Sequence, residues 1–188
     1  MTKQEESLSQ EIEKAVEVLK KGGVIIFPTD TVYGMGCRFD NKSAIARIRN
    51  IKGSNQEFPL LISNIDQSHH IVKINDVAKN LAQRFWPGGL TIIVEKASGL
   101  GKIGIRIPSH KIPLTLIEKI GVPIIGTSAN FHGQKSPTSY EDLDKRLISM
   151  VDFVVHGECD KKIQSTVVDS TTLPVRILRR GAVDVSSS

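Results

Sequence analysis

The chain has 188 residues, 39% hydrophobic and 24% charged, with 25 Lys and Arg against 20 Asp and Glu for a net charge of +5. That length supports one domain with its own core, and no apolar run approaches the roughly 18 residues of a membrane helix. Two cysteines, Cys37 and Cys159, build neither a disulfide framework nor a zinc knuckle, so a reducing cytoplasm fits, and the basic excess suits a polyanion such as a nucleotide or RNA.

Residues 1–10 are too polar and acidic for a signal or transit peptide. Ser7 with Gln10 forms a capping-box pattern, and Leu8, Ile12, Ala15, Val16 and Leu19 follow at helical spacing, so a first helix is expected up to Gly22 and Gly23. Residues 24–27 read as a buried strand closed by Pro28. The stretch 28–36, PTDTVYGMG, is then a polar, glycine-marked connection at the strand's C-terminal end, where open α/β sheets keep their ligand sites. Asn41 or Ser43 caps a second helix that buries Ala44, Ile45, Ile48 and Ile51, and residues 52–57 form a polar loop before a short strand at 59–62.

Asn75 caps a third helix with Val77, Leu81 and Phe85 inward, and Trp86-Pro87-Gly88-Gly89 turns the chain into a strand over 90–95. Residues 103–107 are another strand, with Pro108 after it. Pro113 suits the first turn of a helix reaching Ile120, with Gly121 as its stop. A strand over 122–125 carries Pro123, which points to a sheet edge or to the strand's first residues. After a long segment of small polar residues at 126–137, Thr138 with Glu141 marks a helix through Ile148. Strands at 152–155, 166–169 and 175–178 complete the chain, and residues 184–188 read as a frayed tail. Strands alternating with short helices, with some direct strand-to-strand links, predict a three-layer α/β domain with a mixed sheet over residues 1–188.

The common nucleotide and hydrolase signatures are absent: there is no G-x-x-x-x-G-K-[ST], G-x-G-x-x-G after a strand, H-E-x-x-H or G-x-S-x-G. The five histidines, His69, His70, His110, His132 and His156, lack zinc-ligand spacing and read as surface or structural residues. Chemistry concentrates elsewhere. Gly126, Thr127, Ser128, Ala129 and Asn130 expose backbone N–H groups and add a hydroxyl and an amide, a cradle for phosphate or carboxylate oxygens. Lys52, close to Ser54, supplies a point charge for the same ligand. Arg106 interrupts an apolar strand, so it is expected to be paired or to bind something, unless it lies on the solvent face of an edge strand. Ser165 and Arg179 put a hydroxyl and a guanidinium beside the last strands. Together they point to a basic, hydroxyl-rich anion pocket assembled from distant segments.

Six motifs carry a family resemblance: PTDTVYGMG at 28–36, WPGGLTI at 86–92, IRIP at 105–108, TSAN at 127–130, STVVD at 165–169 and LRRG at 178–181. In this order and spacing they resemble the YrdC family, in the short form of threonylcarbamoyl-AMP synthase, over roughly residues 10–183. The resemblance implies a YrdC/RibB-like three-layer α/β domain, with a twisted mixed sheet and helices on both faces. It also implies a nucleotidyltransferase that joins L-threonine, bicarbonate and ATP, with Mg2+, into threonylcarbamoyl-adenylate and pyrophosphate. The product serves modification of adenosine 37 in tRNA. The implied partners are therefore tRNA or double-stranded RNA and the downstream threonylcarbamoyl-transferase machinery, with no membrane, in the cytoplasm.

The same resemblance assigns residues. Lys52, Ser128 and Asn130 are the catalytic set; Thr31, Arg106, Gly126 and Ser165 face threonine and bicarbonate; and Lys52, Ser54, Ser128, Asn130, Ser136 and Arg179 face ATP. No residue is assigned to a protein-held metal. Asp30 would repel phosphate, and the resemblance puts Thr31, and with it the opening stretch 28–36, on the amino-acid side. One position departs from the family: Ser54 stands where its K-x-R motif has arginine, a loss of about 1.5–3 kcal/mol of charge-assisted binding. Arg47, Arg49 and Lys102 are candidates to replace that charge. A catalytically weak nucleotide- or RNA-binding paralogue is the alternative that Ser54 raises.

Overall fold

The computed structural model describes residues 2–186. Helix α1 (Lys3–Lys20) starts earlier than the Ser7–Gln10 pattern predicts. The capping box is made by Thr2 and Glu5: Glu5 N donates to Thr2 Oγ1 at 3.2 Å and Thr2 N donates to Glu5 Oε2 at 2.7 Å. Nothing between residues 3 and 7 breaks a helix, so the hydroxyl one and a half turns upstream takes the cap and Ser7 lies inside.

Strand β1 (Ile25–Phe27) is followed by β2 (Gly34–Arg38), and the two pair antiparallel with Ile25 opposite Gly36 and Phe27 opposite Gly34. The expected strand-to-helix connection is therefore a hairpin, with 28–33 as its loop. β2 escapes recognition because Gly-Met-Gly-Cys-Arg has neither strand propensity nor alternation. Its glycines answer to packing instead, since a Cβ on Gly36 would lie 2.2 Å from the carbonyl oxygen of Ile125 on the neighbouring strand.

Helix α2 (Lys42–Lys52) is capped by Asn41, whose Oδ1 accepts from Ala44 N at 2.9 Å, and ends at Gly53 in the left-handed region. Lys52 thus belongs to the helix's last turn and not to a polar loop. The chain continues through β3 (Leu60–Leu61), β4 (Val72–Lys73), α3 (Asp76–Phe85, capped by Asn75 as predicted), β5 (Leu90–Lys96) and β6 (Lys102–Arg106). Helix α4 (Lys111–Ile120) stops at Gly121, and β7 (Ile124–Ser128) follows. Pro123 precedes the first residue of β7, and the strand is central, paired on both sides with β2 and β3. The edge alternative does not hold.

The helix expected from Thr138 is mostly absent. Asp142, not Glu141, accepts from Thr138 N at 2.9 Å and Ser139 N at 3.1 Å, tying a turn, and α5 (Lys145–Ser149) begins only after its own cap, Asp144. Strands β8 (Phe153–Val154), β9 (Thr166–Asp169) and β10 (Arg176–Arg179) complete a ten-stranded twisted sheet in the order β10-β9-β5-β6-β3-β7-β2-β1-β8, with β4 beside β5. Pairs β1/β8, β3/β6 and β5/β9 are parallel and the rest antiparallel, as a mixed sheet requires.

The pleat of β1 separates two cores. Ile25 and Phe27 pack with α1 and α4 through Leu19, Leu116 and Ile117, whereas Val24 and Ile26 join α2, α3 and α5 through Ile48, Ala78 and Leu147. Helices therefore cover both faces. Val183 and Val185 pack against the second of these cores; residues 187 and 188 lie outside the described residues. No helix among the described residues is long and apolar enough to cross a membrane.

Candidate functional site

A cleft of about 320 Å³ opens over the middle of the sheet. Thr31, Lys52, Ser54, Arg106, Gly126, Ser128, Ser165 and Arg179 all line it, though they come from elements far apart in the chain. Asn130 and Ser136 sit behind that lining and hold it in place through hydrogen bonds.

One wall is built around Lys52. The last turn of α2 aims its ammonium at the end of β7, where Nζ donates to Ser128 O at 3.0 Å, Asn130 O at 2.6 Å and Asn130 Oδ1 at 2.8 Å. All three protons are engaged, which is how a lysine only 8% exposed satisfies its charge. Burial still pushes its pKa down to about 8. Ser128 Oγ donates to Asn130 Oδ1 at 2.6 Å, and Asn130 Nδ2 donates to Gln134 O at 2.5 Å, so a single asparagine clamps the lysine, the serine and the following turn.

The opposite end is organised by Arg106, the last residue of β6. Its Nε donates to Gly88 O at 2.9 Å and Nη1 to Thr31 Oγ1 at 3.0 Å, and Nη2 pairs with Asp30 Oδ1. Burial lowers the guanidinium from its ordinary value and Asp30 opposes that shift. Asp30 is 1% exposed and its Oδ2 has no hydrogen-bond partner. Of the expected alternatives for Arg106, pairing or binding something, the structure shows pairing, with Asp30 as the counter-ion. Thr29 Oγ1 lies 3.0 Å from Thr31 Oγ1 and donates to Val32 O at 2.7 Å, which fixes the loop between β1 and β2.

On the third side, Ser165 Oγ lies 2.9 Å from Thr91 Oγ1. Arg179 donates from Nε to Ser165 O at 3.0 Å and from Nη2 to Ser165 Oγ at 3.1 Å. Ser136 Oγ accepts from Gln164 Nε2 at 2.5 Å, which ties the segment after Asn130 to the residues leading into β9.

Several lining residues escape the sequence reading. Thr91 and Gln164 carry no signal beyond polarity. Tyr33 looked like part of a polar loop, yet it is fully buried, exchanges hydrogen bonds with Gly157 (2.6 Å to its O, 3.1 Å from its N), and burial raises its pKa to about 12. His132, grouped with surface histidines, lines the cleft. Ser54 lines it too, but its Oγ only accepts from Gln56 N at 3.2 Å. None of the three cations proposed to replace the missing arginine lines the cleft. Arg47 pairs with Asp152 at 2.6 Å and Lys102 with Asp169 at 3.0 Å, while Arg49 stands 3.9 Å from Glu57.

Fold and cleft together define an α/β protein with a recessed cleft, bordered by the cations Lys52, Arg106 and Arg179 and lined with hydroxyls between them. The chain belongs to the Sua5/YciO/YrdC family, whose model, described as telomere recombination, matches residues 17–181. It is 35% identical over 181 residues to threonylcarbamoyl-AMP synthase of Pyrococcus abyssi, covering 90% of this chain and 53% of that protein. Against the Bacillus subtilis synthase the identity is 36%, covering 92% and 54%. The chain thus spans about half the length of these two relatives. YciO of Escherichia coli, an uncharacterized protein, is 31% identical, covering 93% of this chain and 90% of its own length. Among solved structures, P. abyssi Sua5 complexed with L-threonine superposes with a TM-score of 0.86 at 33% identity, covering 93% of this chain and 55% of that one. E. coli YciO superposes with a TM-score of 0.84 at 31% identity, covering 93% and 90%.

Proposed function

We propose that this protein is a threonylcarbamoyl-AMP synthase, making the adenylate from L-threonine, bicarbonate and ATP for modification of tRNA position 37. The observation that carries the reading is one cleft with two differently built ends. Lys52, held by Ser128 and Asn130, faces one; the Arg106–Asp30 pair with Thr31 faces the other. A Sua5 relative of the same fold binds L-threonine.

The chemistry asks for positioning more than for proton transfer. Threonine's amine and bicarbonate give a carbamate and water. One carbamate oxygen then bonds to the α-phosphorus of ATP as the bond to pyrophosphate breaks. Thr31, Ser165 and the backbone of Gly126 orient the amino acid, and Arg106 fixes Thr31. Lys52 and Arg179 place positive charge where the phosphates gather it, and Ser54 and Ser136 lie on the nucleotide side. Glu57 is the one carboxylate among the described lining residues, a donor set that suits magnesium ligated mainly by triphosphate oxygens and water. The metal, arriving on ATP, neutralises charge on the phosphates.

Pyrophosphate release should require ATP, bicarbonate and threonine together. Release without threonine, or none with all three, overturns the proposal. The second reading, a nucleotide- or RNA-binding module without turnover, is favoured by Ser54, which stands where the K-x-R motif has arginine. It expects salt-sensitive binding of tRNA or double-stranded RNA in a filter assay, with no pyrophosphate formed.

A further inference from the structure

The cations of the cleft are mostly committed to the protein itself. Lys52 gives its three protons to Ser128 and Asn130, and Arg106 gives donors to Gly88, Thr31 and Asp30. Arg179, on another side of the cleft, gives two of its five N–H groups to Ser165. A triphosphate, with its concentrated negative charge, needs donors that are not already engaged.

His132 is the exception in this wall. It lines the cleft with Ser54, Lys52 and Ser128, it is exposed, and its imidazole makes no hydrogen bond or ion pair among the described residues. The turn that carries it is firmly built. Gln134 N donates to Phe131 O at 3.1 Å, and Gly133 turns the chain at a φ of +78°. Asn130 Nδ2 holds Gln134 O at 2.5 Å, and the Arg146 guanidinium lies over the Phe131 ring at 5.2 Å. The amide that pins this turn is the one whose oxygen accepts from Lys52. A turn fixed on both sides thus presents an unpartnered imidazole to the cleft. Of the other lining residues, Ser54 brings no charge, and Glu57 is neutralised by Lys96 at 2.8 Å.

We propose that His132 is a nucleotide-binding residue, an imidazole N–H donor to the triphosphate at the mouth of the cleft that makes up for the uncharged Ser54. This rests on the reading of the cleft as an ATP site. Its ligand is the phosphate chain, not the base.

The test compares wild type, His132→Ala and His132→Lys by calorimetry with magnesium-ATP and with magnesium and inorganic triphosphate, and by the pyrophosphate assay. His132→Ala should weaken both ligands about tenfold, leave the KM for threonine and the melting temperature unchanged, and be rescued by His132→Lys. Equal affinities in wild type and His132→Ala overturn the inference while leaving the synthase reading intact. Loss for ATP without loss for triphosphate also overturns it, because the imidazole would then lie against the base. If wild type binds both ligands but makes no pyrophosphate, the synthase reading fails and the binding series still decides the role of His132. Wild type that binds neither ligand overturns both.

Discussion

At the scale of single residues, Lys52 serves folding and chemistry at once, and pH separates the two. Its pKa is lowered from the ordinary 10.5 to about 8 because burial disfavours the ammonium. The kcat/KM for ATP reports groups of the free enzyme, so it should fall as pH rises through about 8. A flat profile up to about pH 9.5 would show that this charge does not touch the nucleotide. Stability moves the other way. Between about 8 and 10.5 the unfolded chain holds the Lys52 proton and the folded chain has released it, so folding free energy gains with pH in that window. Below about 8 the full cost of burying the charge is present.

Ser54 is the complementary case, a small residue whose hydroxyl engages only Gln56 N. Ser54→Arg places a forked donor on a wall of the cleft and should lower the KM for ATP by about tenfold or more, consistent with the usual strength of a charge-assisted contact. The readout is initial rate against ATP at saturating threonine. An unchanged KM means that the phosphates do not pass Ser54.

Among elements, the joint that matters is the one Arg106 makes. From the end of β6 its guanidinium reaches the β1–β2 loop at Asp30 and Thr31 and the turn before β5 at Gly88. Arg106→Met leaves Asp30, 1% exposed, without its counter-charge, and should cost about 3–5 kcal/mol in urea unfolding. The double variant Arg106→Met with Asp30→Leu should recover much of that stability and none of the activity. A loss under about 1 kcal/mol for the single variant would mean that water reaches Asp30 and the pair holds nothing together.

These same elements show what was readable in the chain. α2, α3 and α4 were legible because an apolar face coincides with a cap or a stop, at Asn41, Asn75 and Gly121. β9 was legible as a β-branched run. β2 was not, since its two glycines are chosen by the closeness of neighbouring strands, a tertiary fact. β4, with two residues, owes its existence to pairing with β5. The helix expected from Thr138 failed because two patterns competed and the neighbouring carboxylate, Asp142, won.

At the scale of the whole molecule, the cleft belongs to the assembled sheet. Its lining runs from Thr29 to Arg179, and Lys52, Arg106 and Ser128 meet only once α2, β6 and β7 are packed. Residues that interrupt an apolar or small-residue context, such as Arg106 and Ser128, were visible in the sequence. The pairing of Asp30 was not visible because its partner lies 76 positions away, and the place of the exposed His132 at the cleft was not visible because nothing local distinguishes a histidine facing a cleft from one facing water. A site spread this widely couples binding to global unfolding. A ligand at 100 times its dissociation constant stabilises the folded state by about 2.7 kcal/mol, and each kcal/mol raises the midpoint of a chain this size by about 2–4 °C. Magnesium-ATP at that level should therefore raise the melting temperature by about 5–10 °C in a single transition, with threonine raising it further. A second, unshifted transition would show that part of the sheet unfolds without the cleft. No shift with either ligand would mean that the cleft binds neither, and the synthase reading would fall with it.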